Sequence, residues 1–315
     1  MLRLALIGCG AHSENAHASA LAHYAAQHPG DIDLAAACDM DIKRARRFCR
    51  EYGFAGAYSD MEEMLQTEKP DAVVSILPVE KIGDVGSLLL TRRIPCVLEK
   101  PPGRSLEEVN VLAEIARQTG TPHMVSMNRR FSPYLNRAVA WAREIGPLRY
   151  LRGQMFRRGR SEEDFLWGTG VHVVDAVCHI GGEITASDIQ CLDRPSGSAP
   201  WFLISLRFAS GCAGQIEILP TAGMVEERYE LFGDDFQVCA ITMGGGGESV
   251  RCWRHGALEL EVAANTGDPL FLRDGSYEET SAFIRCLLKG DSPRPSLEDV
   301  LPALQVCDKT VGKGL

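Results

Sequence analysis

Leu4-Ala5-Leu6-Ile7-Gly8-Cys9-Gly10-Ala11-His12-Ser13 decides how the rest of the chain is read. The four apolar residues read as a short buried strand, two glycines follow as a turn, and an alanine-rich helical pattern runs on through Ala26. Strand, glycine turn and helix in that order aim backbone N–H groups at a pyrophosphate. Gly8 permits the tight turn, and Gly10 lets the backbone approach the phosphates closely. Ser13 stands where the third glycine of the usual fingerprint is expected, so the motif alone is incomplete. A second apolar strand, Ile32 to Cys38, ends at Asp39, and a carboxylate at that spacing accepts hydrogen bonds from an adenosine ribose. Asp39 also suits a helix cap before Ile42-Lys43-Arg44-Ala45, and the two roles are compatible.

Outward from that turn, strand and helix patterns alternate. Ala72 to Leu77, Ile94 to Leu98 and His123 to Met127 read as further strands, and Asp41 to Tyr52, Asp60 to Gln66 and Ser105 to Thr119 as helices. Such a succession predicts a parallel sheet with right-handed crossovers. Pro78 closes its strand, and the segment after Leu77 is expected to be a loop beside the ligand. Ser105 with Glu108 predicts a capping box. Glu99-Lys100-Pro101-Pro102-Gly103 ends a fully apolar strand in an ionised pair and a stiff turn. Ligands of open α/β sheets bind at the carboxyl ends of the strands, so Lys100 is placed for chemistry.

From about Asn128 the texture changes. A helical pattern from Tyr134 to Glu144 is followed by strand-like runs at Arg149 to Arg157, Trp201 to Phe208, Cys212 to Leu219, Glu227 to Phe232, Gln237 to Thr242, Val250 to Arg254 and Ala257 to Val262. Short turns such as Ala209-Ser210-Gly211 predict an antiparallel sheet. Gly244 to Gly247 precedes no helix and reads as a hairpin turn. One helix, Gly170 to Ile180, interrupts the strands, and helical patterns at Tyr277 to Leu288 and Leu297 to Val311 close the chain. The expected fold is α/β: a Rossmann domain over 1–126, then an α+β domain over 127–315 with a large, mostly antiparallel open sheet.

Composition narrows the function. With 315 residues, 45% hydrophobic and 24% charged, the chain fills two ordinary domains. A formal net charge of −9 argues against a general nucleic-acid or anionic-membrane surface. No run is long enough for a membrane span, and Gly8 interrupts the apolar start too early for a signal peptide. The 11 cysteines form no C-x-x-C pair, which fits free thiols in the cytoplasm. His172, Asp175 and His179 share a helix, but the apolar composition around His179 favours a core or interface histidine, and no metal is expected. Arg149, Arg152, Arg157, Arg158 and Arg160 either line a pocket for an acidic sugar or form a solvated strand edge.

The ordered set of Gly8-x-Gly10, Asp39, Glu99-Lys100-Pro101, Asn128-Arg129-Arg130-Phe131-Ser132-Pro133 and Gly170-Val171-His172-Val173-Val174-Asp175 resembles the Gfo/Idh/MocA oxidoreductases, which include glucose-fructose oxidoreductase and inositol dehydrogenase. The closing Glu279-Thr280-Ser281-Ala282-Phe283-Ile284 and Pro293-Arg294-Pro295-Ser296 are similar too, so the likeness spans the chain. The resemblance implies an oxidoreductase moving hydride between NAD(P) and a sugar, inositol or related polyol, in a homodimer or homotetramer. It implies Lys100 and His172 as the acid–base pair. Gly8, Gly10, Ala11, His12, Asp39, Arg44, Leu77, Pro78, Glu99 and Lys100 are the expected cofactor contacts. Lys100, Asn128, Arg129, His172 and Asp175 are the expected substrate contacts. Asp175 shares a helix face with His172 and is expected to orient it or to touch substrate. Asp39 tilts the cofactor toward NAD, and Arg44 keeps NADP open.

One position departs from the family pattern. Many of its polyol dehydrogenases carry an aspartate four residues before the histidine, where this chain has Gly168, with Asp164 a further turn upstream. Three readings follow: Lys100 and His172 work alone, the substrate is not a simple polyol, or turnover is lost and the protein is a dinucleotide-binding sensor. A redox-assisted glycosidase that recycles NAD is a further alternative.

Overall fold

The computed structural model describes residues 1–192, 197–244 and 247–309. The chain divides into two compact units. The first comprises 1–126 with 270–272 and 276–301, and the second 127–269 with 273–275 and 302–315. Most of the closing helical region, expected within the second domain over 127–315, groups here with the first unit.

In the first unit, β1 (Leu2–Ile7), β2 (Ile32–Cys38), β3 (Gly56–Tyr58), β4 (Ala72–Ser75), β5 (Cys96–Leu98) and β6 (His123–Val125) form a six-stranded sheet in the order β3-β2-β1-β4-β5-β6. Every pair in it is parallel. Strands buried on both faces must be continuously apolar. Leu4, Ala5, Leu6 and Ile7 accordingly lie in the core, and full burial of Leu4 or Leu6 contributes roughly 1.5–3 kcal/mol each. The crossovers include α1 (Ser19–Gln27), α2 (Ile42–Tyr52), α3 (Met61–Glu68), α4 (Val79–Thr91) and α5 (Leu106–Thr119).

Two local expectations change. The segment after Pro78 is helix α4, not a loop, because proline is as well suited to opening a helix as to ending a strand. Asp41, not Asp39, caps α2, accepting from the Lys43 N–H at 2.9 Å. Ser105 caps α5 as expected, whereas the Glu108 carboxylate reaches back to the Arg104 N–H at 2.5 Å. The Lys100–Pro101 peptide is cis.

Specific bonds explain why the late segment joins this unit. Helix α9 (Ser276–Lys289, after the short helix α8 at Leu270–Arg273) packs on α1. Ser126 donates to Glu279 at 2.8 Å, Val125 N–H to the Pro295 carbonyl at 2.8 Å, and Leu297 N–H to His123 Nε2 at 3.1 Å. The closing helix, α10, spans Leu297–Asp308, and the remainder of its expected run, 310–311, lies outside the described residues.

In the second unit, β7 (Leu148–Phe156), β8 (Ile184–Leu192), β9 (Trp201–Phe208), β10 (Ala213–Leu219), β11 (Glu226–Gly233), β12 (Phe236–Met243), β13 (Ser249–Arg254) and β14 (Ala257–Ala263) form one sheet. Its order is β14-β13-β12-β11-β7-β10-β9-β8, antiparallel except for the parallel pair β7–β10. Alternation is plain in β9, where Phe202, Ile204, Leu206 and Phe208 are buried and the intervening residues are not. Helix α6 (Pro133–Ile145) packs on β11, β12 and β13, and α7 (Val171–Gly181) on β7 and β10. At Gly153 a β-carbon would come within 2.6 Å of Val177 and 2.9 Å of Val173, so glycine is what lets α7 lie this close to β7. Strand β8 has no apolar run to announce it: Ile184-Thr185-Ala186-Ser187-Asp188-Ile189 is polar, as an edge strand tolerates. Gly245 and Gly246 of the expected glycine turn lie outside the described residues.

Candidate active site

The first unit carries the glycine turn at the point where the strand order reverses, between β1 and β4, which is where such sheets bind ligands. Gly8 has φ +94°, and a β-carbon there would sit 2.0 Å from the Ile76 carbonyl oxygen, so only glycine fits. At Gly10, by contrast, an added β-carbon meets nothing within 4 Å, leaving room beside the turn. Ser13 is fully buried at the helix start and does not obstruct the turn. The Asp39 carboxylate accepts from the Cys9 N–H and the Asp41 N–H, both at 2.9 Å, and faces Arg44 at 3.5 Å. Gly10, Asp39, Leu77 and Lys100 are half-buried, and Ala11, His12, Arg44 and Pro78 exposed, so the expected cofactor residues other than Gly8 and Glu99 are open to a ligand. An open glycine turn with a fixed carboxylate at the next strand end fits an adenine dinucleotide.

Glu99 is buried at the end of β5, with Lys100 beside it. Its Oε2 lies 3.4 Å from Nε2 of both His12 and His17. Burial alone would raise this carboxyl, but His12, His17 and then Lys100 outweigh it and hold Glu99 well below the usual carboxylate range.

The second unit presents His172 half-buried in the first turn of α7. Around it stands a set of buried ion pairs. Arg129 donates from Nε and Nη2 to Glu227 at 2.5 and 2.9 Å, and Arg157 donates to the same carboxylate. Burial opposes the Glu227 charge, yet Arg129, Arg157 and His172 together keep its carboxyl far below the usual range. Arg130 clamps Asp175 at 2.7 and 2.6 Å.

Several of the expected substrate contacts also hold partners within the protein. Asp175 is 0% exposed with both oxygens on Arg130, which ties α7 to the Asn128–Phe131 turn. Arg129 is committed to Glu227, and buried Asn128 donates to the Asp274 carbonyl at 3.3 Å. His179, expected in a core or an interface, is exposed on this single chain, which leaves the interface alternative. The arginines of β7 are not on an edge, since β7 is interior to the sheet. Arg149 meets Asp234, Arg152 meets Glu217 and Glu230, and Arg160 meets Glu162. The Arg129–Glu227–Arg157 clamp was invisible in sequence because its partners lie far apart in the chain and meet only when β7 and β11 pair. All 11 cysteines are free, and burial pushes the Cys96 thiol up to about 12.

Residues 2–127 match the model of an oxidoreductase family with an NAD-binding Rossmann fold, GFO_IDH_MocA. The chain is 29% identical to scyllo-inositol 2-dehydrogenase (NAD(+)) of Bacillus subtilis over 217 residues, 64% of this chain and 64% of that relative's length. It is 25% identical to D-apiose dehydrogenase of Paraburkholderia graminis, covering 97% of this chain and 86% of the other. The structure of a dehydrogenase from Chromobacterium violaceum superposes with a TM-score of 0.86 at 20% identity, covering 98% of this chain and 94% of that one, and so shares the fold. Among the described residues no helix is long and apolar enough to cross a membrane.

Proposed function

We propose that the chain is an oxidoreductase of the Gfo/Idh/MocA kind, an NAD-dependent dehydrogenase of a sugar, inositol or related polyol. The observation that carries this reading is the glycine turn with Asp39 fixed against it by the Cys9 N–H. Gly8, Gly10, Ala11 and His12 would cradle the pyrophosphate. Asp39 would accept from the ribose hydroxyls, and its negative charge disfavours a 2′-phosphate. A dinucleotide held by these residues would supply hydride chemistry, uptake from a carbinol carbon or return to a carbonyl.

The chain's own residues handle the proton. Lys100 Nζ takes the hydroxyl proton in the oxidative direction and gives it back in the reductive one, which needs hydrogen-bond reach to a single oxygen. His172 serves as the relay, since imidazole changes charge near neutrality. Leu77 and Pro78 would pack along the dinucleotide. The 11 free cysteines support a reducing cytoplasmic setting, and a homodimer or homotetramer is expected by light scattering.

The test is titration with NADH and NADPH, then a panel of sugars, inositols and sugar acids with the oxidised cofactor while reduced-nicotinamide absorbance is followed. NADH should bind more tightly than NADPH, and at least one sugar or polyol should give reduction. Lys100→Ala should lower kcat at least about a hundredfold with NADH affinity nearly unchanged. Equal losses in both would remove Lys100 from the chemistry. A second reading, a dinucleotide sensor without turnover, draws on Gly168, where no side chain reaches out. NADH binding with no reduction across the panel would favour it.

A further inference from the structure

His12, His17 and Glu99 meet in a cluster at the glycine turn, and the proton and hydride steps proposed above use none of their ring nitrogens or the Glu99 carboxylate as acid or base. His12 and His17 are five residues apart, a spacing that puts two side chains about 140° apart around an ordinary α-helix. Here Ser13–Ala18 is π-helical, with hydrogen bonds running to the fifth residue, and that wider turn brings both rings to one side. Their planes meet edge to face with centroids 5.7 Å apart. Glu99 arrives from the end of β5, across the sheet, with its side chain buried.

The distances are long for hydrogen bonds and match those within a shared ion's ligand set. A nitrogen–oxygen hydrogen bond centres near about 2.9 Å. Each Nε2 instead stands 3.4 Å from Glu99 Oε2, and that buried oxygen accepts no hydrogen bond of good geometry. A tetrahedral ion with nitrogen and oxygen ligands at about 2.0–2.1 Å holds neighbouring ligand atoms about 3.3–3.4 Å apart. One donor atom from each of the three residues lies within 4.8 Å of the others.

We propose that His12, His17 and Glu99 bind a divalent transition-metal ion of the zinc class, with the fourth position open on the exposed His12 side. Two imidazoles and one carboxylate are too nitrogen-rich for magnesium or calcium and suit zinc or cobalt. Three protein ligands with one open position are the pattern of an ion that binds an exchangeable oxygen ligand. His12 is shared with the proposed pyrophosphate cradle, but ion binding is read without dinucleotide, so its failure and the failure of the oxidoreductase reading are distinguishable.

The experiment uses the full chain, stripped with chelator and free of dinucleotide and of any histidine tag. Cobalt(II) is titrated in and followed by the intense visible absorption of four-coordinate cobalt, and zinc is then added to displace it. One equivalent should bind, and zinc should abolish the band. His12→Ala and the isosteric Glu99→Gln should each weaken binding at least about tenfold, as even outer partners of metal ligands do. His28→Ala, which alters an exposed histidine outside the cluster, should change nothing. Circular dichroism confirms that each variant is folded. Absence of a one-equivalent band, or a band that survives both cluster variants, would overturn the proposal.

Discussion

Two buried glutamates, Glu99 in the first unit and Glu227 in the second, are each flanked by two basic side chains, yet they are held differently. Glu227 is gripped by Arg129 and Arg157, whose guanidinium charge is permanent, with donor distances of 2.5 and 2.9 Å from Arg129. Glu99 faces two imidazoles at 3.4 Å, and imidazole charge depends on the proton concentration. The first arrangement is a clamp with every partner fixed. The second is a site whose charge can be changed by a proton, an ion or a ligand, and it stands next to Lys100. Burial and opposite charge alone therefore do not distinguish a structural ion pair from a responsive one; the partner's chemistry does.

The clamp is where the largest effect on stability is expected. Arg129→Ala leaves a fully buried carboxylate with one cation fewer, and removing one partner of a buried pair costs about 3–5 kcal/mol. Urea denaturation of the variant at neutral pH measures this, and a loss below about 1 kcal/mol would mean that Glu227 is not clamped as described.

Acid sharpens the contrast. The folded carboxyl of Glu227 is held below its unfolded value of about 4.3, so its stabilisation is complete above that value and is lost as pH falls through the folded value. Glu227→Gln should be markedly less stable than the parent at neutral pH, and the gap should narrow as pH drops below about 4. A gap independent of pH would assign the loss to packing. At Glu99 the same isosteric change should cost less, about 1–3 kcal/mol, because no partner there makes a short bond.

The two regions also differ in how far they could be read from sequence. The glycine turn, Asp39 and the Lys100 strand end are local patterns, and local patterns carry their own geometry. Helix α4 was lost because Pro78 serves equally to stop a strand and to start a helix. The pairings that commit Asp175 and Arg129 arise from tertiary packing, and no spacing announces them. The His12–His17 alignment depends on a π-helical turn that residue identities do not signal, and Glu99 joins it from another strand.

Gly168 offers the smallest and most local test of the second unit. It lies in the Leu166–Gly170 turn that leads into α7, outside the left-handed region, and a β-carbon there would find only an Asp164 carboxylate oxygen, 4.0 Å away. Neither packing nor backbone conformation therefore requires glycine. Gly168→Ala should raise stability by about 0.4–1 kcal/mol by restricting the unfolded chain, read as an increase in Tm. Gly168→Asp should forfeit that gain, because its carboxylate would be introduced beside Asp164 and two such charges at close range oppose one another. If the alanine variant destabilises instead, the turn before His172 needs glycine for a structural reason. The departure from the family pattern would then say nothing about the chemistry of the site.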